Sequence, residues 1–204
     1  MKLIKTSILV LVVTLLSLTD TNAQHTSFTF TYNMAQPTGE SHEWIGKFSP
    51  RGFSAEYEIY LNDNLSMGAS IGWQVFYRKI TGESYEIDQH TQLYGAQFRY
   101  TNSVPMNITT KYYFNPGGSV EPFIGVGLGT MYVVRRLDMG PFRFNEKGWG
   151  FLVYPEAGIK VPTDGGWNFH LAATYHYMPS TGKLEIEQSF VGFKLGMSWD
   201  YRRY

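Results

Sequence analysis

Eight stretches of this chain alternate large apolar residues with small or polar ones, residue by residue, and a period of two specifies β-strands. The first sets Phe28, Phe30, Tyr32 and Met34 against Thr29, Thr31 and Asn33. Residues 53–61 and 65–77 follow, joined by the turn-forming Asn62, Asp63 and Asn64. Residues 104–114, 124–134, 151–161, 167–177 and 191–201 complete the set. Connections after the second, fourth and sixth stretches are short (62–64, 115–120, 163–166), whereas residues 35–50, 81–93, 138–147 and 179–188 are expected to form long loops. Short and long connections in strict turn, with an even number of strands, predict an antiparallel up-and-down barrel with both termini at the tight-turn end.

The next question is which face points outward. An eight-stranded barrel has an interior just wide enough for side chains to fill it. The apolar face carries Trp73, Trp167, Trp199 and many Phe and Tyr, too bulky to converge on so narrow an axis. The opposite face is rich in Gly and Ser, as in Gly125, Gly127, Gly129, Gly192, Gly196 and Ser198. The apolar face also holds no Lys, Arg, Asp, Glu or His in any of the eight stretches. In water that belt would far exceed the few hundred Å² of apolar patch that monomers tolerate. In lipid, charge is what must be avoided, at about 2–4 kcal/mol per Lys or Arg at mid-depth. The reading is therefore an all-β, eight-stranded antiparallel transmembrane β-barrel. Two aromatic belts are expected at its interfaces: Tyr112, Trp167, Trp199 and Tyr201 on the tight-turn side, and Tyr77, Tyr132, Trp149 and Tyr177 on the loop side.

The N-terminus fits export to such a membrane. Lys2 and Lys5 precede an apolar run from Ile8 to Leu18, and Thr21-Asn22-Ala23 supplies small residues for cleavage. Residues 1–23 are read as a signal peptide and 24–204 as the barrel domain. Lys2, Lys5 and Asp20 leave with the signal, so a chain that starts with 17 residues of each sign keeps fifteen basic and sixteen acidic ones. That balance gives no basis for nucleic-acid binding. Without cysteine there is no disulfide framework, despite export.

With these features the chain resembles the small OmpA/OmpX-like outer-membrane β-barrels, and in particular the compact barrel-domain proteins common in Bacteroidetes. The resemblance covers essentially the whole mature chain. It rests on the signal, the eight strands, "VPMNITTKYYF" followed by "EPFIGVGLGTMYV", and the aromatic-ended last strand. It implies residence in a Gram-negative outer membrane with periplasmic termini, contact with outer-membrane lipid and lipopolysaccharide, and a C-terminal signal read by the barrel-insertion machinery. Trp199, Tyr201 and Tyr204 match that signal, although Arg202 and Arg203 interrupt the alternation before Tyr204. The pattern is architectural and hosts many activities.

Strand parity turns Glu56, Glu58, Arg78, Lys111, Arg135, Glu156, Lys160, Lys194 and Asp200 inward, where ions in a narrow lumen should pair. A structural plug is the favoured reading and a gated ion path the alternative. His170 and His176 face inward too, but they lie roughly 20 Å apart at ~3.3 Å per residue, too far for one metal; the expectation is a satisfied lumen histidine, with an incoming Glu of a neighbouring strand as one available partner for either. His42 with Glu43, and Asp88 with His90, lack the defined spacing of a metal site. His176, Ser180 and Glu185 supply the residue types of a lipid-modifying enzyme, but His176 points into the lumen. "GVGLG" leaves lumen space rather than cradling phosphate, since no Lys-Ser/Thr follows. "NIT" at Asn107 lies inside a membrane strand. No cofactor, metal or catalytic set is therefore assigned, and the expectation is a non-enzymatic barrel. A narrow pore or a conduit for small hydrophobic molecules is the runner-up. Ligand specificity would reside in the loops, with Trp44, Phe48, Tyr85, Phe142 and Phe144. Polar Gln97, Arg99 and Thr101 indicate a wall that rises past the membrane.

Overall fold

A computed structural model describes residues 25–88, 91–180 and 187–202, with the backbone alone described for 82–88, 91–94 and 202. The signal segment, His90, Glu185 and Tyr204 lie outside these residues. The elements are β1 (His25–Thr38), a short helix α1 (Gly39–Trp44), β2 (Ser49–Tyr60), β3 (Leu65–Asp88), β4 (Thr91–Tyr113), β5 (Glu121–Met139), β6 (Phe142–Pro162), β7 (Trp167–Met178) and β8 (Gln188–Arg202). Each strand pairs antiparallel with the next, and β8 returns to β1 to close the barrel, with Phe28 opposite Trp199 and Tyr32 opposite Leu195. Closure removes the sheet edges, which a lipid-embedded sheet cannot leave unpaired.

The outward face is apolar throughout the membrane zone: Phe28, Phe30, Ile71, Ile108, Leu128, Phe151, Phe169, Leu171 and Leu195 are all exposed. The inward face lets strands approach closely where glycine stands. A Cβ on Gly129 would lie 1.9 Å from the Met106 carbonyl oxygen, and one on Gly127 would lie 2.2 Å from the Tyr154 ring. Tight turns close the termini end. The Asn62 side chain accepts hydrogen bonds from the Asn64 and Leu65 amides (2.9 and 2.8 Å), a local turn device.

At the other end the structure departs from the expected loops. Segments 81–93 and 138–147 are largely strand, since β3 runs to Asp88 and β5 turns into β6 through Gly140 and Pro141 alone. Gly140 takes φ +55°, a left-handed conformation available to glycine at little cost. The reason for the difference is that apolar alternation ends where lipid ends, while the hydrogen-bond ladder continues on polar residues. β3 pairs with β2 only as far as Gln74, and β6 with β7 only as far as Val153. Beyond those points β3, β4, β5 and β6 rise together as a projecting four-stranded sheet. Segment 35–50 likewise holds the end of β1 and helix α1 rather than an open loop.

Candidate functional site

The lumen is filled in three layers. Nearest the tight turns, Lys160 of β6 meets Asp200 of β8 at 2.7 Å, Glu121 of β5 at 3.6 Å and the Tyr60 hydroxyl at 3.1 Å. His25 stacks on Tyr60 and reaches Asp200 at 3.5 Å. These groups border a vestibule of about 880 Å³ that opens at the tight-turn end beside Asp63, Gly117 and Tyr201.

At mid-height sits a tighter cluster. The Lys111 ammonium contacts Glu56 (2.7 Å), Glu58 and Glu156 (3.8 Å), and Lys194 holds Glu156 at 3.2 Å. Among the described residues, the other hydrogen bonds to these carboxylates come from hydroxyls: Thr109 to Glu56 at 2.6 Å, Ser66 and Tyr113 to Glu58 at 3.2 and 2.9 Å, and Tyr154 to Glu156. Lys194 also donates to the Tyr154 hydroxyl at 2.9 Å. Lys111 and Glu58 lie on β4 and β2 and meet across β3, which lines that sector with Ser66, Gly68 and Ser70. Lys111 is 1% exposed and Glu58 1%, so each charge survives burial only because its partners replace water.

Above the ions an apolar layer closes the barrel. Ala35, Ile45, Phe76, Met131, Val133, Leu152, Met178 and Phe190 form one buried cluster with Tyr154, and Trp44 packs against it. Helix α1 supplies the lid: the Ser41 hydroxyl accepts from the Ser189 amide at 3.0 Å, and the Glu40 carboxylate accepts from the Glu187 amide at 2.9 Å.

The nine inward ions therefore divide. Glu56, Glu58, Lys111, Glu156 and Lys194 form the middle cluster, and Lys160 and Asp200 the lower one. Arg78 and Arg135 belong to neither. Arg78 donates to the Ile45 carbonyl at 3.2 Å, and Arg135 to the Gln188 side chain at 2.9 Å and the Glu187 carbonyl at 3.2 Å. Both sit at the outer mouth and brace the lid, because parity gives a face and not a height. Sequence reasoning missed Glu121, which precedes the apolar run of its strand. It also missed the hydroxyls of Tyr60, Tyr113 and Tyr154, inward residues that count as bulk in an apolar/polar pattern.

The histidines also differ from expectation. His170 packs on Phe123, and neither ring nitrogen finds a hydrogen-bond partner among the described residues. His176 is sandwiched by Tyr154 and Phe190 and meets the Thr174 hydroxyl at 3.4 Å rather than a Glu. It is 7% exposed, whereas Ser180, past the end of β7, is exposed. His42 contacts the Pro37 carbonyl, and the described residues contain no group of three metal-ligating side chains.

On the outer wall, Tyr77, Tyr112, Tyr132, Trp149, Trp167, Tyr177, Trp199 and Tyr201 all lie on the outward face. Tyr132 packs on Trp149 at 4.9 Å on the loop side, and Trp167 on Trp199 at 4.8 Å on the turn side.

Residues 8–199 match the family described as outer membrane protein beta-barrel domain. Among solved structures, the chain resembles the outer membrane protein OprG of Pseudomonas aeruginosa (TM-score 0.55, 11% identity, 89% of this chain and 97% of that one). It also resembles Ail, the attachment invasion locus protein of Yersinia pestis (TM-score 0.52, 12% identity, 87% and 99%), which has also been solved with the heparin analogue sucrose octasulfate. At these identities the likeness is one of fold. No curated protein sequence matches.

Proposed function

The chain belongs to the outer membrane protein beta-barrel domain family and resides in the outer membrane of a Gram-negative cell, and from that premise we propose a non-enzymatic barrel whose lumen is a structural plug. Its working surface is then the projecting outer end. The observation that carries this reading is the layered lumen: ions locked to one another at mid-height beneath an apolar lid held by helix α1. A conducting path needs a continuous file of water, and Phe76, Met131, Leu152 and Phe190 occupy the cross-section where it would pass. The lipid-modifying alternative needs His176 at the rim, yet that ring is stacked within the lid layer. The last strand, ending in Trp199 and Tyr201, serves the barrel-insertion machinery in this reading.

Single-channel recording in planar bilayers tests the plug. The expected result is a flat trace for the refolded full-length barrel, with its heat-modifiable gel shift confirming that it is folded. Discrete conductance steps from that folded protein would overturn the reading in favour of a pore.

A further inference from the structure

Three arginines share the inward face at the outer mouth, one on each of three successive strands: Arg78 on β3, Arg99 on β4 and Arg135 on β5. Arg78 stands directly opposite Arg99, and Arg135 stands opposite Thr101, diagonal to Arg99. Like charges placed opposite one another on a sheet are destabilising, so the grouping needs a reason. Part of it is the lid. Arg78 donates to the Ile45 carbonyl at 3.2 Å and Arg99 to the Trp44 carbonyl at 3.1 Å, the C-cap and last residue of helix α1. The Arg99 guanidinium also lies 4.7 Å from the centre of the Trp44 ring. Arg135 is served less well. It is 3% exposed, and its Nη2 donates to the Gln188 side chain and the Glu187 carbonyl, while Nε and Nη1 find no acceptor among the described residues. Its register partner on β6 is Glu146, yet no ion pair joins the two. A guanidinium does not lose its proton in a protein, so these buried donors stay costly until an acceptor arrives.

We propose that Arg78, Arg99 and Arg135 form a site for a compact phosphate-like oxyanion, which takes the place of the Trp44 and Ile45 carbonyls as that end of the lid lifts. The lid has the hinges for it. Gly39 begins helix α1 and Gly46 follows its C-cap, and both hold left-handed φ, +53° and +62°. The Gly39 end is latched to β8 through Glu40 and Ser41, whereas the arginines hold the other end. Competition favours the anion, because a hydrogen bond to an ionised acceptor is roughly twice as strong as one to a neutral carbonyl. Chemistry follows from the guanidinium, whose planar fork matches phosphate. Donors spread over three strands, about 10 Å across, suit a tetrahedral dianion with oxygens on several sides better than a carboxylate with two on one edge. Size follows from the floor, since Phe76 and Val133 lie two residues below Arg78 and Arg135 and belong to the buried apolar layer. The proposal takes the outer end as the working surface but does not depend on whether the lumen conducts.

The test is calorimetric titration of the folded full-length barrel in detergent with inorganic phosphate, at an ionic strength held constant with chloride. Saturable one-to-one binding is expected, weakened at least tenfold in Arg135→Gln. Tryptophan emission should change along the same curve, and Trp44→Phe should abolish that change, because Trp73, Trp149, Trp167 and Trp199 face outward. No saturable heat, or an unchanged affinity in Arg135→Gln, would overturn the proposal. So would equally tight binding of acetate, because the site would then read charge and not tetrahedral shape. Binding with no change in emission would overturn the lid step. Glycerol phosphate binding tighter than inorganic phosphate would assign the ligand to an organic solute, and the reverse order to the free ion; either order upholds the site. If Arg135→Gln fails to give the gel shift, Arg135→Lys replaces it, and a smaller weakening in the same direction is required.

Discussion

The middle of the lumen and the outer wall of the projecting sheet are built from the same pair chemistry, ammonium or guanidinium against carboxylate, with opposite results. Inside, Lys111 and Lys194 face three glutamates whose oxygens also receive Thr109, Ser66, Tyr113 and Tyr154, so the cluster has little left to offer a visitor. Outside, one aspartate, Asp138, serves two arginines, Arg136 and Arg143, and the Arg143 side chain is 63% exposed. The contrast shows what burial does to a salt bridge. In a lumen shut off from water, an ion left without its partner is expensive. On a wet wall the ions tolerate incompleteness, and incompleteness is what a binding surface needs.

The sharpest way to break the comparison is to strand the inner acids. Lys111→Met leaves Glu56 and Glu58 without their ammonium, and removing one partner of a buried pair costs about 3–5 kcal/mol. The expected outcome is a large drop in the urea midpoint for refolding into lipid, followed by loss of the heat-modifiable gel shift. A loss below about 1 kcal/mol would mean that water already reaches the cluster, which would weaken the plug reading as well.

A second, smaller effect isolates packing from charge. Gly129→Ala places a methyl 1.9 Å from the Met106 carbonyl, on backbone that cannot swing away. Overpacking of this kind costs about 1–3 kcal/mol. The same urea series should show it, at any salt concentration, because no ion is involved.

Much of this architecture is legible in the sequence, for a physical reason. Lipid and a narrow lumen impose opposite demands on alternate residues, so Phe28 to Met34 or Trp167 to Tyr177 declare their faces without any alignment. What parity cannot carry is height and partnership. Lys111 finds Glu58 across β3 only because the barrel's stagger brings two non-adjacent strands to one level over small residues. Arg78 and Arg135 share the parity of Lys111 yet end at the lid. The projecting wall was legible only through polar Gln97, Arg99 and Thr101, which do lie in β4, and the hairpin ends were not, because outside the bilayer nothing forces alternate residues to be apolar. Arg136, Asp138 and Arg143 therefore look like loop residues until Gly140 and Pro141 fold them face to face.

The smallest expected effect sharpens the comparison most. Arg143→Gln breaks an ion pair in which the arginine side chain is 63% exposed, and exposed pairs contribute about 0–1 kcal/mol. The urea midpoint should barely move, in contrast to the collapse expected from Lys111→Met, although each variant deletes one cation from one carboxylate cluster. Raising the ionic strength should shrink even that residue of stability, since screening acts over ~8 Å at 0.15 M and less at higher salt. The Lys111 effect should persist, because Lys111 is 1% exposed and buried pairs are screened far less than exposed ones. A stability loss for Arg143→Gln as large as that for Lys111→Met would mean that the outer triad holds the projecting sheet together. Its charge would then be structural.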